Sequence, residues 1–293
     1  MRLPLVDLLR ILSALAVMVF HWTGQKAGPF NFGWLGVEQF FMISGYVIAL
    51  TMQGRTRAEF ITARARRLWP TFAACLLLTL LVAPPTPAVT VIANLTMIPA
   101  ILGFPYVDSV YWSLMFEIMF YAAVFVIVPW PWLLRPFAWA WLSIGLLPLH
   151  PPFSTLLIQT YAPFFIIGIA IYCADWLLFG IALCIAARWG WIERPLDGLI
   201  IIACAFALLG AVRVKKVVFS KALYVLGGIS YPLYLLHDVF ALQIGGAIGV
   251  IAAFLASFAV WQIDRLIKIR PTTKPPPDKP ALIAPVNSTS TLN

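Results

Sequence analysis

Few side chains in this 293-residue chain could do chemistry, because only 11% of it is charged. Arg10 and His21 stand near the N-terminus with ten residues between them. On an α-helix, eleven steps of about 100° return to nearly the same face, roughly 16 Å further along the axis. One helix face therefore carries a cation near one end and an imidazole near the other. An imidazole with a pKa near 6.5 is suited to moving protons at neutral pH. Glu117 stands in the run from Tyr111 to Tyr121, and His237 closes the run from Gly227. Two histidines and a glutamate, from three segments, are thus expected at similar depth as a general acid/base cluster. Taken singly, Arg10 could snorkel to the headgroups, His21 could sit beside Trp22 in an aromatic belt, and Glu117 could form a structural pair.

Two further runs carry polar groups. Ser44-Gly45 lies in the middle of an apolar stretch from Gly36, a place where a small residue usually lets helices pack closely. Arg64, Arg66 and Arg67 precede Trp69-Pro70. Such a cluster commonly marks topology against anionic lipid, and its guanidinium forks are equally suited to holding a phosphorylated ligand.

The elements that must position these groups are membrane helices. With 62% hydrophobic residues, the chain cannot cover a water-facing surface, and its apolar runs are too long and too continuous for a barrel. About ten spans are expected, near 5–23, 34–52, 68–83, 110–129, 137–149, 154–173, 175–187, 197–212, 221–240 and 243–264. The first, from Leu5, holds Asp7, Arg10 and His21 and reads as a retained span, not a cleaved leader. The stretch 89–104 is interrupted by Asn94, Pro99 and Gly103. Counting it as a crossing would put the Arg213/Lys215/Lys216 loop and the Lys268/Arg270/Lys274 tail outside, against the positive-inside rule. It is therefore expected to be re-entrant or to lie on the outer surface, with both termini cytoplasmic and Arg188 and Arg194 left outside.

Other polar residues at span depth are Glu38, Asp238 and Asp264, each costly there unless paired or facing a cavity. Residues 1–267 form one transmembrane domain, and 268–293 should be a disordered Pro/Ser/Thr-rich tail. Cys75, Cys173, Cys184 and Cys204 have no paired spacing and suggest neither a disulfide framework nor a metal site. The net charge of +9 comes from loop clusters and gives no reason to expect nucleic acid.

Taken in order, five segments resemble the acyltransferase 3 family of membrane O-acyltransferases. They are Asp7-Leu8-Leu9-Arg10 followed by His21, the Phe40-Phe41 to Tyr46 run, and the Arg64/Arg66/Arg67 cluster before Pro70. The last two are Trp112 to Tyr121 and Ser230 to His237. The resemblance implies an all-α bundle of about ten spans in the cell membrane. It also implies transfer of an acyl group, usually acetyl, from cytoplasmic acyl-CoA to a hydroxyl of an envelope carbohydrate, lipid-linked glycan or smaller acceptor. No tightly bound cofactor is implied, with acyl-CoA serving as co-substrate. By position, it makes His21 and Arg10 essential and puts Arg64, Arg66 and Arg67 on the coenzyme A phosphates. Ser44, Gly45, Trp112, Ser113 and Glu117 would line the acyl path. Glu117 or His237 could orient the His21 imidazole, and direct transfer is preferred to an acyl-enzyme on Ser44 or Ser113. The final span ends Asp264-Arg265, departing from a family pattern with proline two positions after an acidic residue. The rival reading is a transporter or flippase with an intramembrane proton relay; no paired halves with broken helices are present to support it.

Overall fold

A computed structural model describes residues 3–24, 30–214 and 221–268, and among these residues the chain is helical with no strands. The helices are α1 Pro4–Trp22, α2 Gly36–Met52, α3 Arg57–Val82, α4 Ala88–Leu95, α5 Trp112–Ile127 and α6 Leu134–Gly145. They continue with α7 Phe153–Leu156, α8 Ala162–Cys173, α9 Trp176–Glu193, α10 Pro195–Arg213, α11 Lys221–Gln243 and α12 Gly246–Lys268. Eight of them are long and apolar enough to cross a membrane, and α8 is a shorter apolar helix.

Contacts along the helices fix their directions. α1 and α11 run parallel, with Gly227 against Asp7 at one end and the Trp22 indole donating to the His237 carbonyl (2.9 Å) near the other. α2 runs against α1, because Gly36 meets the Ser13 carbonyl and Gly33 meets that of Ala16. α2 and α8 are parallel, since Phe41 stacks near Tyr161 and Tyr46 near Tyr172. α5 runs against α3, with Tyr111 bonded to Thr79 (2.9 Å) and Tyr121 beside Phe60. α5 and α8 therefore point the same way, and α6 must traverse the bundle between them. The result is about ten passes of the bundle among the described residues. The end where α1 begins is called proximal below, and the opposite end distal.

The α2–α8 seam depends on two glycines. A Cβ on Gly45 would lie 2.0 Å from the Phe165 carbonyl oxygen, and one on Gly168 would lie 2.1 Å from that of Met42. Backbones this close admit no side chain. Gly45 thus belongs to a packing seam, and the acyl-path position expected for it is not where the structure places it.

The stretch 89–104 does not cross. Its helix α4 has 8 residues, about 12 Å long. Asn94 is fully buried and pins the distal hairpin that follows. Its amide donates to the Thr90 and Pro105 carbonyls (both 2.9 Å), and its oxygen accepts from the Val107 amide (3.1 Å). Arg194, expected outside together with Arg188, is paired within the protein. Its guanidinium bonds Asp197 (3.1 Å) and the Asn31 carbonyl (2.5 Å), tying the α9–α10 turn to the α1–α2 connection.

Some boundaries moved. α3 begins at Arg57, well before the expected 68, because Thr56 and Glu59 form a capping box. Its first turns carry the arginines before the apolar part begins. The expected span 154–173 divides into α7 and α8. Lys215, Lys216 and the tail from 269 onward lie outside the described residues.

Candidate active site

Two polar sites lie one above the other in the bundle. The proximal one is a cavity of about 690 Å³ between α1, α2, α3, α5, α11 and α12. Arg10, Arg64, Arg67, Ser44, Ser113 and Glu117 all stand on its wall, together with Asp264 and Arg265 of α12. Arg10 is held by Asp7, one turn earlier on α1, through an N–H···O bond of 2.9 Å. Arg64 is buried and lies over the rings of Phe60 and Tyr121. The Glu117 carboxylate accepts hydrogen bonds from Ser44 (3.0 Å) and from the Tyr121 hydroxyl. These bonds explain how a carboxylate is tolerated two turns into α5. Pro70 in α3 removes one ladder donor and so frees the Arg66 carbonyl a turn earlier.

The cavity closes distally on Phe40, Ser113 and Tyr234. The Tyr234 hydroxyl is 2.7 Å from the Ser113 hydroxyl and donates to the Val110 carbonyl at 3.1 Å. The Phe40 and Tyr234 rings meet edge to face at 5.5 Å. On the far side of this partition, the Tyr234 ring lies 5.8 Å from that of His237.

The distal site is centred on His21. Its Nδ1 is 2.8 Å from Asp238 Oδ1, and the other carboxylate oxygen accepts from the Ser109 hydroxyl at 2.7 Å. A carboxylate only accepts, so the imidazole proton sits on Nδ1 and the Nε2 lone pair stays free. This is the arrangement in which a carboxylate fixes the tautomer of a general base. The His237 ring stands edge-on to His21, with centroids 5.0 Å apart. The His21 side chain keeps 16% of its surface exposed, whereas that of Asp238 keeps 5%.

Asp108, just outside the α5 span, completes the cluster. Its Oδ1 accepts from the Val110 amide at 3.1 Å. Burial first, and then the neighbouring Asp238 charge, push its carboxyl up to about 7.

The expected acid/base cluster is therefore divided. His21 and His237 come together, but Glu117 bonds Ser44 and Tyr121 in the proximal cavity and Asp238 orients the imidazole. Neither Glu117 nor His237 bonds His21 through a side chain. Arg10 lies on the proximal cavity wall, roughly 16 Å along α1 from His21. Arg66 and Arg67 are both exposed and Arg64 is buried, but only Arg64 and Arg67 stand on the cavity wall. Trp112 is also off it and packs against Phe116 and Tyr161. Asp108, Ser109 and Tyr234 were not anticipated as site residues. Asp238 was visible only as a charge at membrane depth. Glu38 is buried with both carboxylate oxygens unpartnered.

The acyltransferase domain of the acyltransferase 3 family matches residues 4–263. No curated protein and no solved structure matches the chain. The match runs from the start of α1 into the last turns of α12 and includes His21, Asp238 and most of the cavity wall, so the chain belongs to the acyltransferase 3 family and is a multi-pass membrane acyltransferase.

Proposed function

We propose that the protein is an O-acyltransferase that moves an acyl group, acetyl in the first instance, from acyl-CoA to a hydroxyl of an envelope carbohydrate, lipid-linked glycan or smaller acceptor. The observation that carries this reading is the His21–Asp238 pair just beyond the closed end of an arginine-mouthed cavity. Donor and acceptor then approach from opposite ends. By the positive-inside rule the proximal end, with Arg55, Arg57, Arg64, Arg66 and Arg67, faces the cytoplasm of a cell membrane, and the N-terminus lies with it. The last turns of α12, with Asp264 and Arg265, lie at the same end.

Coenzyme A is a polyanion on a thin arm. Arg64 and Arg67 take its phosphates, while Arg10, deeper in the cavity and held by Asp7, supports the donor and plays no part at the imidazole. The arm runs between Ser44, Glu117 and Tyr231 toward Tyr234, which must swing aside for the thioester to pass. His21 Nε2 then takes the proton of the acceptor hydroxyl as its oxygen attacks the thioester carbonyl. The C–S bond breaks, the acyl–oxygen bond forms, and the thiolate of coenzyme A recovers the proton from His21. Asp238 holds the transient imidazolium, and no acyl-enzyme is needed.

The test is purified protein in nanodiscs with radiolabelled acetyl-CoA and envelope extract. Label in an extractable acceptor, with release of free coenzyme A, is the expected result. Retention of all label as acetyl-CoA despite measurable coenzyme A binding would contradict the reading.

A further inference from the structure

The distal site contains two buried acceptor atoms with nothing to accept. His237 is fully buried, and its Nδ1 lies 2.8 Å from the Tyr234 carbonyl, which can only accept. The ring proton is therefore on Nδ1, leaving a lone pair at Nε2, and Nε2 has no hydrogen-bond partner among the described residues. Asp108 is 5% exposed, and its Oδ1 is committed to the Val110 amide, while Oδ2 has no partner within hydrogen-bond distance among the described residues. The Val239 backbone N–H also draws on the carboxyl, which lies within the field of His21 and Asp238. Buried acceptors left without donors are costly and rare, and they call for an explanation by a ligand.

The His237 ring stands 5.0 Å from that of His21, Asp108 lies within the field of the same imidazole, and neither free atom is used by the transfer step above. We propose that His237 Nε2 and Asp108 Oδ2 form an acceptor subsite that takes hydroxyl donors adjacent to the hydroxyl deprotonated by His21. This inference rests on the acyl-transfer reading and deepens it.

The chemistry of the pair sets its selectivity. A hydroxyl donates to either atom, so an acceptor with neighbouring hydroxyls fills both while presenting a third to His21 Nε2. Where Asp108 is ionised, a phosphate or carboxylate at the same place would set lone pairs against lone pairs. His237 and Asp108 are thus positioning residues, which decide which hydroxyl of a polyol reaches the base. His21 remains the group that takes the proton.

The experiment uses the full chain in nanodiscs with radiolabelled acetyl-CoA and the labelled acceptor isolated from envelope extract by the wild type. His237→Asn keeps a donor for the Tyr234 carbonyl and loses the Nε2 acceptor. Asp108→Asn keeps the cap on Val110 and replaces the free oxygen by a donor. For each variant, the KM for acceptor should rise about tenfold, the KM for acetyl-CoA should stay unchanged, and the acetyl group should scatter over neighbouring hydroxyls. Unchanged acceptor KM and unchanged regiochemistry in a folded variant that binds coenzyme A would overturn the proposal. Should His237→Asn fail to fold, Asp108→Asn carries the test alone, because it lies outside the spans. A wild type that binds coenzyme A but labels no acceptor would defeat the transfer reading itself, a result distinct from failure of the subsite.

Discussion

His21 and Asp238 are separated by 217 positions in the chain, yet Nδ1 and Oδ1 meet at 2.8 Å. The contact exists because α1 and α11 run parallel and touch along their length. Asp7 against Gly227 sets the proximal register, and Trp22 on the His237 carbonyl sets the distal one. Ser109, at the start of the α5 span, holds the second oxygen of the carboxylate. Three elements thus fix one imidazole.

Asp238→Asn should leave the fold intact and lower kcat about a hundredfold, since the amide no longer enforces the Nδ1–H tautomer. Ser109→Ala should lower it less, because Oδ2 and not Oδ1 loses its partner. Steady-state coenzyme A release checks both, with acetyl-CoA KM expected to remain near the wild-type value.

Arg67→Ala and Arg64→Ala should each weaken coenzyme A binding about tenfold, the scale of one lost charge-assisted contact. Arg66→Ala should leave binding near wild type, because its side chain is off the cavity wall that Arg64 and Arg67 line. Calorimetric titration of the three variants separates them. Equal losses would mean that the whole cluster acts as a diffuse charge.

Gly45→Ala should destabilise the protein by about 3 kcal/mol, at the upper end for overpacking, because the new methyl meets a carbonyl oxygen and not a yielding side chain. Gly210→Ala, with no atom within 4 Å of the added carbon, should be tolerated. Thermal unfolding in detergent compares the pair.

Asp108 makes stability depend on pH. Its carboxyl, raised from 3.8 to about 7 by burial and by Asp238, favours the folded state while protonated. That contribution is complete below the unfolded value and is lost as pH rises through about 7. The unfolding temperature of the wild type minus that of Asp108→Asn should therefore fall as pH is raised from about 4 to about 8. A difference that grows with pH would contradict the assignment.

The spans were legible because apolar length decides them. Gly36–Met52 and Lys221–Gln243 lie close to where hydropathy put them. Where a polar device intervenes, hydropathy misleads: the Thr56–Glu59 box starts α3 outside the apolar run. The chemistry was half legible. His21, His237, Arg10 and Glu117 stand out as polar groups where lipid penalises them. Their grouping does not, because it depends on which helices touch. α11 carries His237 and Asp238 about 100° apart, yet both meet His21, one by a ring contact and the other by a hydrogen bond. Nothing local says that Asp238 faces α1. Glu117 looked available to His21 until Ser44 and Tyr121 were seen to occupy it. Asp108 and Ser109, at the mouth of a span, fall outside the polar residues that membrane depth singles out.

The most direct test of the account compares wild type and His21→Ala in nanodiscs, following label from acetyl-CoA into extracted acceptor, with coenzyme A binding measured on both. The account predicts that His21→Ala binds coenzyme A as the wild type does and transfers no label above background. Transfer at the wild-type rate by a folded His21→Ala protein would contradict it, because the account gives proton removal to His21 alone and leaves His237 and Asp108 to position the acceptor.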